Sequence, residues 1–262
     1  MASPYRAAAM LLLLSTAAAA SPADEKTKTA IDPVLLADAA TLTPDQIANL
    51  QQRLIDWPQL SRYRQDNAEL RAPAAGERRV VFYGDSITDG WGRVDGTQFF
   101  PGKAYVNRGI SGQTTAQMLL RFRQDVIDLT PAVVVILAGT NDIAGNTGPA
   151  TQAMIEDNLQ SMTQLAQANG IRVVLASVLP VSDYPWRPGL QPAAKVSALN
   201  AWIADYARHH DAIYLDYHSA MRNAEGGLDT RLAADGVHPT PAGYALMAPL
   251  AEAAIARALA MP

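Results

Sequence analysis

The chain has 262 residues, a length that fits one α/β domain with short extensions better than two full domains. Hydrophobic residues make up 49% and charged residues 18%, which is typical of a globular protein and excludes a highly charged, disordered chain. The net charge of −4 and the lack of a Lys/Arg-rich run argue against a nucleic-acid partner. There is no cysteine, so disulfides, thiolate metal sites and cysteine nucleophiles are excluded.

Residues 1–23 have the layout of a secretory signal peptide, because Arg6 is followed by an apolar run over 7–14 and an alanine-rich segment over 15–20. The alternative is a membrane anchor. However, the apolar run is shorter than the ~20 residues that a spanning helix requires, and the polar residues 24–26 follow it closely. We therefore expect an exported protein, periplasmic or extracellular, without stable membrane insertion after cleavage.

Residues 24–76 are expected to form an N-terminal extension whose short helices pack on the core domain. The segment Thr43-Pro44-Asp45-Gln46 predicts a helix start, with Thr43 as N-cap and Gln46 completing a capping box. Apolar residues then recur at helical spacing and are expected to face the main domain: Ile47, Leu50, Leu54, Ile55. A second short helix is expected to continue this packing with three aromatic or apolar residues: Trp57, Leu60, Tyr63.

From Arg79 onward, short apolar segments alternate with longer amphipathic ones, and the core domain is expected to span 77–262. The expected strands are 80–83, 104–106, 132–137, 171–177 and 212–215. The expected helices are 114–129, 151–169, 192–210 and 241–260. This alternation predicts an α/β fold in which helices cover both faces of a five-stranded parallel sheet.

Two distant segments carry groups suited to nucleophilic catalysis. Ser86 follows the first expected strand, so it should lie at the sheet edge where parallel strands bind ligands. On this segment alone a helix N-cap is the favoured alternative. His238 has Asp235 three residues before it, a spacing that lets the carboxylate fix the imidazole tautomer and stabilise its charged form. The other histidines of the chain lack such a setting.

Two further loops could supply hydrogen-bond donors to an oxyanion. Gly112 can offer a bare backbone N–H, and Asn141 can offer its side-chain amide. The Ser86 N–H would be a third donor. For the glycine the alternative is turn geometry, and for the asparagine it is an Asx-turn or a cap.

Taken together, four segments resemble the ordered blocks of the GDSL/SGNH hydrolase family. They read Gly84-Asp85-Ser86, Gly109-Ile110-Ser111-Gly112, Gly139-Thr140-Asn141-Asp142 and Asp235-Gly236-Val237-His238. In the first block an isoleucine follows the serine where the family has leucine, a change that keeps the apolar character. The resemblance covers roughly residues 79–259 and implies a flavodoxin-like three-layer α/β/α sandwich.

The resemblance also implies the role of each site residue. Ser86 would be the nucleophile, and His238 would be the base, oriented by Asp235. Gly112 and Asn141 would complete an oxyanion hole with the Ser86 amide. No metal or other cofactor is implied. The family includes lipases, thioesterases and carbohydrate acetyl esterases, so the reaction class is implied and the acyl and alcohol groups stay open.

The loop over residues 180–191 is the candidate substrate loop, because it follows a strand and should overhang the same sheet edge. It contains Tyr184, Trp186 and Arg187, and aromatic side chains with a cation suit a sugar. The alternative is a structural clamp of the loop. Arg108 is a further candidate for binding an anionic substrate group, with an ion pair to a neighbouring carboxylate as the alternative.

The sequence therefore predicts a secreted serine hydrolase of carboxylic esters. Short acyl groups are expected, with O-acetyl groups of carbohydrates as the preferred substrate, so the partner would be a small-molecule or saccharide ester. Two other hypotheses keep the fold: a non-catalytic saccharide-binding protein, and a lipase or thioesterase with longer acyl substrates. A metal-dependent hydrolase built on acidic residues and His238 is a further alternative, but the chain lacks a His-rich or paired-Asp ligand motif.

Overall fold

The computed structural model describes residues 33–261, so the expected signal peptide lies outside the described residues. Five parallel strands form one sheet in the order β2-β1-β3-β4-β5. The strands are β1 (Val80–Gly84), β2 (Tyr105–Gly109), β3 (Val133–Leu137), β4 (Arg172–Ala176) and β5 (Ala212–Leu215). Each lies within two or three residues of its expected position, and the five-stranded parallel sheet predicted from the sequence is confirmed.

The described residues also form helices before, between and after these strands. They are α1 (Pro33–Leu36), α2 (Pro44–Ile55), α3 (Arg64–Glu69), α4 (Ser86–Asp89), α5 (Thr115–Asp125), α6 (Thr140–Ile143), α7 (Gln152–Ala168), α8 (Ala193–His209), α9 (Tyr217–Met221) and α10 (Pro241–Ala260). The expected helix over 114–129 is α5 followed by the 3-10 turn Ile127–Leu129. Within residues 33–261 no helix is both long and apolar enough to cross a membrane.

Helices cover both faces of the sheet. Successive residues of a strand point to opposite faces, and two buried clusters accordingly separate at β1. Val81 and Tyr83 belong to the cluster with α5, α7 and α8, whereas Val80 and Phe82 belong to the cluster with α10. The result is the expected three-layer α/β/α sandwich. The strand order is that of the flavodoxin-like doubly wound fold, whose ligand site lies where β1 meets β3 at their carboxyl ends.

Helix α2 begins as the sequence predicts. The Thr43 hydroxyl accepts a hydrogen bond from the Gln46 N–H at 3.2 Å, and the Gln46 side chain accepts one from the Thr43 N–H at 2.8 Å. This reciprocal pair is a capping box. Pro44 occupies the first turn, where a missing N–H costs no intrahelical bond.

The predicted orientation of α2 is wrong for three of its four apolar residues; only Leu50 is half-buried. Leu54 and Ile55 are 83% and 79% exposed, Ile47 is also exposed, and no residue of the helix is fully buried. The side that faces the domain combines Leu50 with the polar residues Gln46 and Arg53, and the Arg53 guanidinium donates to the carbonyl of Asn146 at 2.9 Å. Periodicity identified the helix and its two faces, but polar partners on the core decided which face turns inward.

The segment after α2 differs from the expected second helix. Residues 57–63 form turns, and α3 begins only at Arg64. Tyr63 is nevertheless buried, and its hydroxyl donates to the Gly109 carbonyl. Glutamines of the core also reach the carbonyls of this segment, as Gln117 does at 2.6 Å from Trp57. The extension is therefore tied to the end of β2 and to α5 by polar bonds more than by apolar burial.

Candidate active site

Ser86 is the first residue of α4 and follows β1 directly. The N-cap of this short helix is Asp85, whose Oδ1 accepts a hydrogen bond from the Ile87 N–H at 3.0 Å. Asp85 therefore fills the N-cap position that was the alternative interpretation of Ser86. The hydroxyl of Ser86 points to another group.

That group is the imidazole of His238, which comes from the loop before α10. Ser86 Oγ lies 3.0 Å from His238 Nε2, although 152 residues separate the two in sequence. On the far side of the ring, His238 Nδ1 lies 2.6 Å from Asp235 Oδ2. A carboxylate can only accept, so Nδ1 carries the hydrogen and Nε2 is left to accept the proton of the serine. The structure therefore brings together the three residues predicted as a catalytic unit.

Asp235 also shapes the loop that carries the imidazole. Its Oδ1 accepts hydrogen bonds from the backbone N–H groups of Val237 at 2.9 Å and His238 at 2.7 Å. Partial burial opposes ionisation, but the bonds from His238 and Val237 outweigh it and hold the pKa of Asp235 below its usual value. Asp235 is therefore ionised at neutral pH, as a group that orients an imidazole must be.

Helix α10 is fixed against α4 next to the serine. Tyr244, on the first turns of α10, donates its hydroxyl hydrogen to the Ile87 carbonyl at 2.8 Å. Thr240 caps the same helix by accepting from the Gly243 N–H at 3.3 Å. His238 lies two residues before this cap, so the contact between Tyr244 and Ile87 helps to hold the loop that carries the imidazole next to Ser86.

The expected oxyanion donors lie beside Ser86. Gly112 has φ +78°, a conformation that favours glycine, and with Asn141 it lines the same pocket of about 470 Å³ as Ser86 and His238. Asn141 is buried; its Nδ2 donates to the Gln113 carbonyl at 3.0 Å, and its Oδ1 accepts from Asn146 at 2.7 Å. These bonds fix the amide orientation, and the second Nδ2 hydrogen is available to a ligand.

Two buried carboxyl groups flank these elements. Burial raises the pKa of Asp85 to about 7, although the hydrogen bond from Ile87 and the nearby His238 oppose the shift. Burial likewise raises the pKa of Asp142 to about 6, against the hydrogen bonds from the amide and hydroxyl of Thr115. The Thr115 hydroxyl donates to Asp142 at 2.6 Å, so Asp142 ties α6 to the start of α5.

The part of the chain that carries the site segments matches a known protein family. Residues 82–246, more than half of the chain, match the model of the GDSL-like lipase/acylhydrolase family. The chain belongs to this family. Within residues 33–261 no group of three or more His, Cys, Asp or Glu side chains is arranged to hold a metal ion.

Two bacterial proteins are similar in sequence to this chain over part of their length. Esterase TesA of Pseudomonas aeruginosa is 30% identical over 138 residues, which are 51% of this chain and 60% of TesA. An uncharacterized lipoprotein of Bacillus subtilis, YqeF, is 27% identical over 168 residues, which are 58% of this chain and 60% of YqeF. The chain thus spans about 60% of the length of the relatives it matches.

Two solved structures resemble about three quarters of this chain. A GDSL-like lipase from Bacteroides thetaiotaomicron is 45% identical, with a TM-score of 0.73, and the match covers 77% of this chain and 98% of that one. An acetylxylan esterase from Geobacillus stearothermophilus has a TM-score of 0.55 at 21% identity, covering 74% of this chain and 98% of that one. The second likeness is one of fold alone.

In this GDSL-family chain, two of the four predicted substrate residues, Trp186 and Arg187, line pockets at the site. The other two, Tyr184 and Arg108, are buried away from them. Trp186 lines the Ser86 pocket, with its ring centroid 6.1 Å from that of His238, and Arg187 lines an adjoining cleft. Tyr184 is fully buried beneath Trp186, with its hydroxyl 3.0 Å from that of Thr140. Tyr184 is therefore the structural clamp that was the alternative for this loop.

The prediction that Arg108 binds substrate is also not supported by its position. Its side chain is buried outside the Ser86 pocket, where Nε donates to the Asn67 side chain at 2.8 Å and the guanidinium stacks 4.7 Å from the centre of the Tyr63 ring. Burial lowers its pKa from the usual arginine value. Arg108 thus joins α3 to the sheet, because its partners lie on the extension.

Asn146 is a residue of the site that the sequence analysis missed. Its amide donates to Asn141 at 2.7 Å, and its Oδ1 accepts from the Trp186 indole N–H at 3.0 Å. It therefore links the oxyanion donor to the aromatic residue beside His238. In the sequence, Asn146 is marked only by its position five residues after Asn141. Polar residues are common in loops, so this spacing does not identify it as part of the site.

Proposed function

We propose that this protein is an exported serine hydrolase of carboxylic esters. The observation that carries the proposal is the continuous chain of contacts from Ser86 Oγ to His238 Nε2 at 3.0 Å and from His238 Nδ1 to Asp235 Oδ2 at 2.6 Å. A serine hydroxyl is a weak nucleophile until a base takes its proton, and this arrangement supplies the base and the group that orients it. Export is proposed from the signal-like segment over residues 1–23.

In the proposed reaction, Ser86 Oγ attacks the ester carbonyl while its proton moves to His238 Nε2. The resulting imidazolium is stabilised by the Asp235 carboxylate. The developing oxyanion receives hydrogen bonds from the backbone N–H groups of Ser86 and Gly112 and from the side-chain amide of Asn141. The bond between the carbonyl carbon and the alcohol oxygen then breaks, and the leaving oxygen takes the proton from His238. Water, activated by the same imidazole, releases the acid from the acyl-serine.

A short acyl group and a polar alcohol suit the surroundings of Ser86. The pocket that holds the serine, with a volume of about 470 Å³, is smaller than the cleft next to it and includes the apolar side chains of Val94 and Tyr244. A larger polar cleft adjoins it beyond Gly112 and Trp186. This division favours acetyl esters of saccharides over long-chain lipids. The acetylxylan esterase that shares the fold is consistent with this choice but does not carry it.

The proposal is tested with a panel of nitrophenyl esters of increasing acyl length beside acetylated sugars. We expect the highest kcat/KM for acetyl and a fall with chain length. Ser86→Ala should remove hydrolysis almost completely, by about 10⁶-fold if it behaves as other serine nucleophiles do. Ser219→Ala, at an exposed position of α9, is the matched control and should act as the wild type.

Two outcomes contradict parts of the proposal. Folded wild-type protein with no turnover of any ester would leave a saccharide-binding protein instead of an enzyme. Higher kcat/KM for long acyl chains than for acetyl would indicate a lipase or thioesterase. Export is tested separately, by the mass of the mature N-terminus in the periplasmic and extracellular fractions of a Gram-negative host.

A further inference from the structure

Asn146 lies in the middle of a series of side chains that ends beside the Ser86 pocket. The indole N–H of Trp186 donates to Asn146 Oδ1 at 3.0 Å, and the amide of Asn146 donates to Asn141 Oδ1 at 2.7 Å. The amide of Asn141 donates in turn to the Gln113 carbonyl at 3.0 Å. We call this series of three hydrogen bonds the amide relay. It joins the candidate substrate loop to the side chain expected to bind the oxyanion.

The two ends of the amide relay fix the direction of every bond in it. An indole nitrogen only donates, and a backbone carbonyl only accepts. Turning over the amide of Asn146 or of Asn141 would bring two donors or two acceptors face to face, so both amides keep one orientation. The Nδ2 group of Asn141 therefore stays on the side of the Gln113 carbonyl. Its second hydrogen is left for a ligand in the Ser86 pocket, which Asn141 lines.

Burial makes the bonds of the relay difficult for water to replace. Asn141 is only 2% exposed, and Asn146 is half-buried between the Ser86 pocket and the adjoining cleft. A buried polar atom that loses its partner stays unsatisfied, and successive hydrogen bonds in a low-dielectric region strengthen one another. Removing the donor on Asn146 would therefore take from Asn141 Oδ1 a bond that fixes the angle of its amide.

The backbone of Asn146 is held by hydrogen bonds of its own. Its N–H donates to the Asn141 carbonyl at 3.1 Å, and its carbonyl accepts from the Arg53 guanidinium at 2.9 Å. The side-chain amide also donates to the Gly112 carbonyl at 3.4 Å, in the loop that carries another expected oxyanion donor. Asn146 is thus fixed in place before a substrate arrives, as preorganised stabilisation of an oxyanion requires.

We propose that Asn146 is a positioning residue for ester hydrolysis, and that the indole N–H of Trp186 acts with it to keep the Asn141 amide aimed at the oxyanion. The proposal rests on the ester hydrolysis proposed above. It gives Trp186 a role other than the sugar contact expected from the sequence. A tryptophan that binds substrate acts mainly on KM, whereas a group that orients an oxyanion donor acts mainly on kcat.

Steady-state kinetics separate these two roles. Asn146→Ala removes the donor to Asn141, and Trp186→Phe keeps an aromatic ring but removes the indole N–H. For nitrophenyl acetate we expect kcat to fall by about ten- to a hundredfold in Asn146→Ala and by about three- to tenfold in Trp186→Phe, with KM within about twofold of the wild type. A wild-type kcat in Asn146→Ala, or a loss confined to KM, would overturn the proposal.

Two matched controls repeat the same substitutions outside the relay. Asn169→Ala changes the exposed asparagine that ends α7. Trp202→Phe changes a tryptophan of α8 that stacks on Tyr206. Both controls should keep the wild-type kcat and KM, because neither residue lines the Ser86 pocket or the adjoining cleft.

A double-mutant cycle tests whether Asn146 acts through Asn141. The Asn146→Ala change is made again in the Asn141→Ala variant, which no longer has an amide to orient. We expect the loss of kcat caused by Asn146→Ala to shrink to within about twofold in this background, because residues of one hydrogen-bond network are not additive. An equal loss in both backgrounds would overturn the positioning role.

The hold on the Asn141 amide is also measured independently of turnover, as the solvent exchange of its side-chain hydrogens in nitrogen-edited NMR spectra of the full mature chain. The signals are assigned by their loss in Asn141→Ala. We expect exchange about tenfold faster in Asn146→Ala and in Trp186→Phe than in the wild type. Unchanged exchange in Asn146→Ala would overturn the relay. If the wild type hydrolysed no ester, faster exchange in the variants would uphold the relay, and the proposed function would fail alone.

Discussion

Replacing Arg121 tests whether its buried polar contacts hold the ends of β1 and β2 in place next to the site. The side chain is completely buried, and its guanidinium stacks 4.2 Å from the centre of the Tyr83 ring. It donates to the carbonyls of Arg108 at 2.9 Å and Gly84 at 3.1 Å, which end β2 and β1 just before the two site loops. It also pairs at 3.1 Å with Asp125, whose carboxylate is equally buried.

We predict that Arg121→Met lowers the free energy of unfolding by about 3–5 kcal/mol, because removing one partner of a buried ion pair leaves the other charge without compensation. Methionine retains much of the apolar volume, so the loss reports on the polar bonds. The measurement is urea denaturation followed by circular dichroism. Arg123→Met, two residues along α5 and exposed, is the matched control, with an expected change within about 0.5 kcal/mol.

A double variant separates the charge from the remaining bonds. Asp125→Leu in the Arg121→Met background removes the unpaired carboxylate, and we expect it to recover part of the lost stability, because replacing both members of a buried pair is often tolerated. If Arg121→Met costs less than about 1 kcal/mol, the view that this guanidinium holds the strand ends in place is refuted.

Three further predictions concern the site itself. Asn141→Ala should lower kcat by about 10²- to 10³-fold with a smaller change in KM, because its amide acts on transition-state charge; a change confined to KM would make it a substrate-binding residue. Asp235→Asn should lower kcat, since the carboxylate fixes the imidazole tautomer and stabilises the imidazolium that forms when the serine proton is taken. An unchanged kcat in the folded variant would leave Asp235 a structural residue of its turn. Asp85 has its pKa raised by burial from 3.8 to about 7, so folding binds a proton between these values and its contribution to stability is lost as pH rises through the folded pKa. Asp85→Asn should therefore flatten the pH dependence of unfolding free energy between about pH 4 and pH 8, and an unaltered slope in urea titrations would contradict the shift.

The errors of the sequence-based predictions have a common physical cause. Helix α2 was expected to turn Leu54 and Ile55 inward, and Arg108 was a candidate for binding an anionic substrate group, with an ion pair to a carboxylate as the alternative. Both predictions considered the polarity and charge of the side chain itself and not the hydrogen-bond partners that surround it in the fold. In the structure Asn146 offers a carbonyl to the polar face of α2, and Asn67 offers an oxygen to Arg108. Since buried polar groups must find partners, the partners decide the orientation.

What the sequence by itself determined is local or ordered along the chain. The apolar runs predicted each strand to within a few residues, and the alternation with helices required a parallel sheet, because side-chain periodicity is set by backbone geometry. The short helices α4, α6 and α9 have four or five residues and show no periodicity that could reveal them. Order along the chain also related Ser86 to His238 through the family resemblance.

Only the tertiary structure decided how these parts meet. The strand order sets β1 beside β3, which brings Asn141 to the edge that carries Ser86. The contact of Tyr244 with Ile87 joins α10, and the loop of His238 before it, to α4. The same packing assigned the N-cap of α4 to Asp85 and left the serine hydroxyl for the imidazole. Such contacts join residues far apart in sequence, and no local pattern encodes them, because each depends on which surfaces remain to be covered once the sheet has formed.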